Sequence, residues 1–142
     1  MPASGSGPDL LVDTSVAVAL AVADHEHHET TFRAVSGLRL GLAGHAAFET
    51  FSVLTRLPPP ARRTPAAVAR LLAADFPHSK FLGARAAAAL LGNLIALGIA
   101  GGAVYDALIA AAANEHRLPL ATRDHRALET YRALEVRVEV LQ

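Results

Sequence analysis

Short apolar runs alternate along this chain with longer stretches in which apolar residues recur every three or four positions. The short runs are typical of buried parallel strands and predict strands over residues 10–12, 38–42, 118–122 and 136–141, with a possible edge strand at 78–82. The longer stretches predict helices over residues 16–20, 29–35, 44–57, 65–75, 83–97, 103–115 and 124–132. Strands that alternate with helices indicate a parallel sheet covered on both faces. The pattern therefore predicts an α/β fold on a mainly parallel sheet of four to five strands.

Residues at the predicted helix ends support these boundaries. Thr64 followed by Pro65 is typical of a helix start, with threonine as the cap and proline in the first turn. Gly98 is the expected left-handed residue at the end of a long helix. For the first helix, Thr14 or Ser15 is the expected N-cap.

The length of 142 residues predicts a single domain over residues 1–142, with a flexible tail at residues 1–8. Hydrophobic residues make up 52% of the chain, which excludes a disordered protein. The chain has no cysteine, and this excludes disulfides, thiolate metal sites and cysteine nucleophiles.

Two apolar segments resemble export or membrane signals. Residues 10–23 end like a signal peptide, but no basic residue precedes them and Asp13 interrupts them. Residues 86–104 carry no charge over a length that spans a bilayer, yet they are mostly alanine and glycine. We interpret this second segment as two buried helices joined by a glycine turn. We therefore expect a cytoplasmic protein that does not associate with membranes.

Charge is balanced, with 13 basic and 13 acidic residues, so the chain as a whole has no electrostatic preference for nucleic acid. The distribution of charge is more informative. Four arginines cluster around the prolines at 58–60 and predict a positive segment that holds RNA phosphates: Arg56, Arg62, Arg63 and Arg70. The alternative is an ordinary solvated face.

Two aspartates follow two of the predicted strands. Asp13 comes directly after the first strand, and Asp124 lies two residues beyond the strand at 118–122. The carboxyl ends of parallel strands form the ligand-binding edge of an α/β sheet, so the two carboxylates converge if these strands are neighbours. Glu49 and Asp106 lie at the starts of predicted helices that approach the same edge.

Carboxylates held this close together repel one another unless a cation lies between them. A magnesium or manganese ion prefers hard oxygen ligands, and its presence would point to metal-assisted phosphoryl or phosphodiester chemistry. Each residue also has a structural alternative. Asp13 and Asp124 fit helix N-caps. Asp106 fits the positive end of a helix, and Glu49 fits a solvated helix surface.

Four segments carry a resemblance to a known family. They are Leu-Val-Asp-Thr-Ser-Val at 11–16, Phe-Glu-Thr-Phe-Ser-Val-Leu-Thr-Arg at 48–56, Tyr-Asp-Ala-Leu-Ile-Ala-Ala-Ala at 105–112 and Leu-Ala-Thr-Arg-Asp at 120–124. In this order and at this spacing they resemble the PIN-domain ribonucleases, especially the VapC-type toxins of prokaryotic toxin–antitoxin pairs. The resemblance extends over about residues 10–141.

The resemblance implies a three-layer α/β/α sandwich and an endoribonuclease that depends on magnesium or manganese. It assigns catalysis and metal binding to an acidic quartet: Asp13, Glu49, Asp106 and Asp124. It also implies supporting polar roles for Thr122 and for Ser15, a position where many members have asparagine. Such toxins typically form homodimers and are neutralised by a small antitoxin protein encoded beside them.

Two other functions stay open on the residues alone. One is a different magnesium-dependent phosphoryl hydrolase, and the other is a non-catalytic RNA- or protein-binding module of the same fold. A phosphatase that resembles the haloacid dehalogenases would need a second aspartate two residues after Asp13, where this chain has Ser15. The intact quartet disfavours a module without catalysis.

Overall fold

Four short strands form the centre of the computed structural model, which describes residues 7–142. They are β1 (Leu10–Val12), β2 (Leu40–Leu42), β3 (Leu120–Thr122) and β4 (Val138–Val140). All are parallel, in the order β2-β1-β3-β4, so β1 and β3 are central neighbours. The predicted parallel sheet and the predicted α/β class are confirmed. β1 has the predicted bounds, and the other three strands are shorter than predicted.

Seven helices connect and cover these strands within the described residues. They are α1 (Thr14–Ala21), α2 (His28–Val35), α3 (Ala46–Thr55), α4 (Pro65–Asp75), α5 (Ala84–Leu97), α6 (Ala103–Glu115) and α7 (Leu128–Ala133), with a 3-10 turn at His125–Ala127 before α7. The helix predicted over 103–115 is α6, with the same bounds. The helix predicted over 124–132 is divided between the 3-10 turn and α7.

The two faces of the sheet bury separate sets of apolar side chains, because successive residues of a strand point to opposite faces. Leu11 and Leu120 pack into one cluster with residues of α6 and α7, such as Ile109. Leu10 and Val12 pack into the other cluster with residues of α1 and α2. The fold is therefore a three-layer α/β/α sandwich.

The helix caps show which sequence signals were sufficient to locate the helix ends. The Thr64 hydroxyl accepts a hydrogen bond from the backbone N–H of Ala67 at 3.2 Å, and Gly98 has φ of 70° at the end of α5, as predicted. The predicted cap of α1 is wrong. Asp13 is the cap, as its structural alternative predicted, and accepts the capping bond from the N–H of Val16 at 3.2 Å.

The predicted edge strand at 78–82 is also wrong, because the segment makes only a single bridge between Lys80 and Ala43. The segment still lies against β2, where the N–H of His78 donates to the carbonyl of Leu40 at 3.2 Å. A Cβ on Gly41 would lie 2.1 Å from the His78 carbonyl oxygen. Glycine at position 41 therefore allows this close backbone approach.

The interpretation of residues 86–104 as two buried helices is only half right. The two helices and the glycine turn are present, but Leu90 is the one buried residue of α5. Leu91 and Ile95 on α5 are 73% and 95% exposed. No helix in the described part of the chain has the length and apolar character needed to cross a membrane. Most of the predicted tail, residues 1–6, lies outside the described residues.

Thr31, on α2, provides a test of how a buried hydroxyl group affects stability. It is fully buried on α2, and its hydroxyl has no hydrogen-bond partner within residues 7–142. We expect Thr31→Val to raise the free energy of unfolding by about 1 kcal/mol, because it removes an unsatisfied buried hydroxyl without changing shape. Thr122→Val is the matched control and should lower the free energy of unfolding, because the Thr122 hydroxyl donates a hydrogen bond to Asp13. Urea unfolding of both variants measures this, and a loss of stability in Thr31→Val would contradict it.

Candidate active site

The carboxyl edge of β1 and β3 positions the first acidic residue of the site. The two strands pair in register, with Val12 opposite Ala121. The next residue, Asp13, continues this pairing, since its N–H donates to the Ala121 carbonyl at 3.1 Å. Asp13 is thus fixed at the end of a central strand, as the sequence predicted.

The side chain of Asp13 is 2% exposed and receives four hydrogen bonds. Oδ1 accepts from the Ser15 hydroxyl at 2.6 Å and from the backbone N–H of Val16. Oδ2 accepts from the Thr122 hydroxyl at 2.5 Å and from the Tyr131 hydroxyl at 2.8 Å. A carboxylate has about four acceptor positions, so the protein itself occupies those of Asp13.

Burial and hydrogen bonding act on Asp13 in opposite directions. Burial is the larger effect and raises the pKa of its carboxyl group, although the donors at Ser15, Thr122 and Tyr131 act to lower it. Burial and the neighbouring Asp13 charge also raise the pKa of Tyr131, which keeps this hydroxyl protonated as a donor. Sequence reasoning missed Tyr131, because a tyrosine on a helical apolar face gives no signal of a partner 118 residues away.

All four members of the acidic quartet line one open cleft of about 1070 Å³. Glu49 and Asp106 reach it from the first turns of α3 and α6. Glu49 accepts a hydrogen bond from the Thr14 hydroxyl at 2.7 Å, which connects α3 to the start of α1. The predicted convergence of the four carboxylates at one sheet edge is therefore present.

Asp124 has two roles, since it caps a helical turn and also lines the cleft. Its Oδ1 accepts from the N–H of Arg126 at 3.0 Å and so caps the 3-10 turn, as the structural alternative predicted. The Arg126 guanidinium also pairs with Oδ2 at 3.2 Å. The N–H of Asp124 donates to the Thr122 hydroxyl, and the N–H of Arg123 donates to the Ser15 hydroxyl. The two supporting hydroxyls therefore hold the loop after β3 as well as Asp13.

Asp106 lies in electrostatic surroundings that disfavour its charged form. Its pKa is raised to about 6, first by burial and then by the charges of Asp124, Glu49 and Asp13. The Arg126 guanidinium acts in the opposite direction but does not cancel these effects. The cleft therefore holds excess negative charge near Asp106.

A divalent cation fits this donor set chemically. The four side chains offer hard carboxylate oxygens, and their mutual repulsion falls when positive charge lies between them. Across residues 7–142, however, no three acidic or histidine side chains already form a metal-binding group. A magnesium ion is usually held by one or two carboxylates together with water, so this arrangement is compatible with such an ion.

The four predicted RNA-binding arginines occupy different places. Arg56, at the end of α3, lines the cleft. Arg62 and Arg63 lie in the loop before α4, where they donate to the carbonyl oxygens of Leu57 and Ala21 at 2.8 and 2.9 Å. Arg70 is exposed on α4. Arg126, which the sequence analysis did not select, is the second arginine of the cleft.

The pKa of Asp106 predicts a stability gain when its charge is removed. Between about pH 4 and pH 6 the folded chain holds a proton at Asp106 that the unfolded chain releases, so the folded state loses stability as pH rises through this range. In chelator, we expect Asp106→Asn to unfold at a higher temperature than the wild type at pH 7.5, with little difference at pH 4. Asp24→Asn, in the exposed loop after α1, controls for the loss of one charge. A lower unfolding temperature for Asp106→Asn at pH 7.5 would show that the cleft stabilises this carboxylate.

Comparison with known proteins shows which family this chain belongs to. Residues 10–133 match the PIN domain family. Ribonuclease VapC27 of Mycobacterium tuberculosis is 47% identical over 133 residues, which cover 94% of this chain and 97% of that protein. Ribonuclease VapC40 of the same species is 46% identical over 131 residues, with coverage of 91% and 96%. The fold is similar to that in a crystal structure of VapBC2 from Rickettsia felis bound to a promoter DNA fragment, with a TM-score of 0.66. The two sequences are 12% identical, and the match covers 94% of this chain and 98% of that one. The resemblance found in the sequence is confirmed, and this chain belongs to the PIN-domain family.

Proposed function

We propose that this protein is an endoribonuclease that hydrolyses RNA phosphodiester bonds and acts as the toxin of a toxin–antitoxin pair. The observation that carries the proposal is the convergence of Asp13, Glu49, Asp106 and Asp124 in one cleft of a PIN-domain chain. Relatives at 46–47% identity across nearly the whole chain are named ribonucleases, which supports the same activity here.

The acidic quartet is the proposed site of a divalent cation, since members of this family generally depend on one. Magnesium or manganese is the proposed ion because all four ligands offer carboxylate oxygens. When bound, the ion supplies positive charge that activates water for attack on the phosphodiester and offsets the charge that develops on the phosphate.

The surrounding side chains have a positioning role in this proposal. Ser15, Thr122 and Tyr131 hold both oxygens of Asp13 in one orientation. Arg56 and Arg126 line the same cleft, and we propose that they contact RNA phosphates. Arg62, Arg63 and Arg70 remain predicted phosphate contacts outside the cleft.

An antitoxin is the proposed protein partner. A metal-free cleft with several carboxylates attracts a guanidinium group, which pairs with carboxylate oxygens through two parallel hydrogen bonds. We therefore propose that the antitoxin places a basic side chain near Asp13 and Asp106, or covers the groove around them. We also propose that the protein forms a homodimer. Its proposed location is the cytoplasm, where RNA substrates are found.

The main test is RNA cleavage by isosteric variants in the presence of magnesium. Asp106→Asn should lower the cleavage rate at least about a hundredfold, because it removes a charge that holds the cation. Glu129→Gln is the matched control, since Glu129 lines the same cleft but is not part of the quartet. Chelator should abolish the wild-type activity.

Equal loss of activity in Asp106→Asn and Glu129→Gln would contradict the assignment of the quartet. Wild-type cleavage that persists in chelator would contradict metal dependence. Asp13→Asn is a less clean variant, because an amide NH₂ would face one pair of the donors that now bind the Asp13 carboxylate. Its fold should be checked by circular dichroism before its activity is compared.

Co-expression tests the partner. The tagged chain, expressed together with the small reading frame beside its gene, should copurify with that product and lose activity relative to the chain expressed alone. Recovery of the tagged chain alone and fully active would count against the toxin–antitoxin assignment. The nuclease assignment would stand, since the cleavage assay tests it separately.

A further inference from the structure

Four aromatic rings form a continuous row that leads away from the acidic cleft. The Tyr105 and His45 rings are stacked, with centroids 5.0 Å apart and planes at 18°. The His45 and Phe48 centroids are 6.3 Å apart, and Phe48 meets Phe81 edge-on at 6.1 Å. We call Tyr105, His45, Phe48 and Phe81 the aromatic row.

Three members of the aromatic row face solvent to an unusual degree. Tyr105, Phe48 and Phe81 are 50%, 65% and 52% exposed, although burial of an aromatic ring is strongly favourable. The packing of this fold does not account for their exposure, since neither hydrophobic cluster on the sheet contains them. Exposed rings in contact with one another are typical of a ligand-binding surface.

The aromatic row is continuous with the cleft. His45, Phe48 and Tyr105 line the same cavity as the acidic quartet. Two of the rings directly precede quartet members in the sequence, as Phe48-Glu49 and Tyr105-Asp106. The first turns of α3 and α6 thus each present one carboxylate and one ring to the same cavity.

We propose that the aromatic row is a base-stacking subsite that holds unpaired nucleobases of single-stranded RNA next to the scissile phosphate. The proposal rests on the proposed nuclease function and specifies the form of its substrate. Aromatic side chains stack on any base through its flat face, but only when the base is not paired within a helix. Arg56 in the same cavity provides a contact for the phosphate backbone of the bound strand.

Two protein occupants compete with RNA for this surface. The antitoxin proposed above would cover the same groove and exclude RNA from it, while a second copy of the chain is disfavoured by the composition of the surface. The cavity that contains Phe48 and Tyr105 is also lined by five carboxylates and two arginines: Asp13, Glu49, Asp106, Asp124, Glu129, Arg56 and Arg126. The cores of protein–protein interfaces are depleted in charged residues. Rings beside charged groups instead match the mixture of stacking and phosphate contacts found in single-strand-binding grooves.

The test measures binding of a fluorescein-labelled twelve-nucleotide single-stranded RNA to the full chain carrying Asp106→Asn, in magnesium. Adding Phe48→Leu should weaken binding at least about fivefold, because it removes the flat ring but keeps an apolar side chain. The slope of log K against log salt should not change, since no phosphate contact is lost. Phe32→Leu is the matched control, an equally exposed phenylalanine on α2 outside the cleft, and it should bind like the parent.

A second RNA of the same length with abasic sites separates stacking from backbone binding. The parent should bind it more weakly than the base-containing RNA, and Phe48→Leu should cause no further loss. An equal loss on both RNAs, or unchanged affinity for the base-containing RNA, would overturn the proposal. A change in molecular mass of Phe48→Leu by light scattering, with RNA affinity unchanged, would assign the row to contact between copies of the chain.

The outcome is separable from that of the nuclease proposal. If the wild type cleaves RNA in magnesium and Phe48→Leu binds RNA like the parent, only the stacking subsite is wrong. If the wild type cleaves no RNA, the nuclease proposal fails whatever the binding data show.

Discussion

The buried carboxylate of Asp13 is the interaction on which both the fold and the site depend. Its four hydrogen bonds come from α1, from β3 and from α7, so one side chain joins the start of α1 to residues that are 109 and 118 positions away in the sequence. Burying a carboxylate is costly unless donors satisfy it, and here they do. Because the same bonds orient Asp13 and hold the segments around it, the position of the cleft follows directly from the packing of the domain.

Local signals in the sequence were sufficient for the parts of the fold that local physics determines. The continuous apolar run of β1 predicted a buried parallel strand, and the Thr64-Pro65 pair predicted where α4 begins. The convergence of Asp13 and Asp124 needed one further assumption, that β1 and β3 are neighbours, and the sheet order confirms it. Acidic residues placed just after strands were therefore a reliable guide to the cleft.

Other features depend on contacts between distant residues, which the local sequence does not indicate. The bond between Tyr131 and Asp13, and the contact of His45 with Tyr105, join residues from distant elements. The exposure of α5 was missed because alanine and leucine occur at the same helical spacing in buried and in partly exposed helices. The edge strand is reduced to one bridge because the Leu42 N–H donates to the Ser79 hydroxyl instead of to a backbone carbonyl of the segment.

The four carboxylates are not equivalent, and the difference bears on how a cation would enter. Hydrogen bonds from the protein fill the acceptor positions of Asp13, so direct coordination would require one hydroxyl, such as that of Ser15, to turn away. Asp106 instead has its pKa raised by burial and by the charges of Asp124, Glu49 and Asp13, so a cation bound beside it would relieve this repulsion. Asp124 pairs with Arg126, a group that is 91% exposed at its side chain and is readily exchanged for another cation. The carboxylates therefore have different roles: the hydrogen bonds of Asp13 fix the position of the cleft, while the repulsion around Asp106 provides the excess negative charge that attracts the ion.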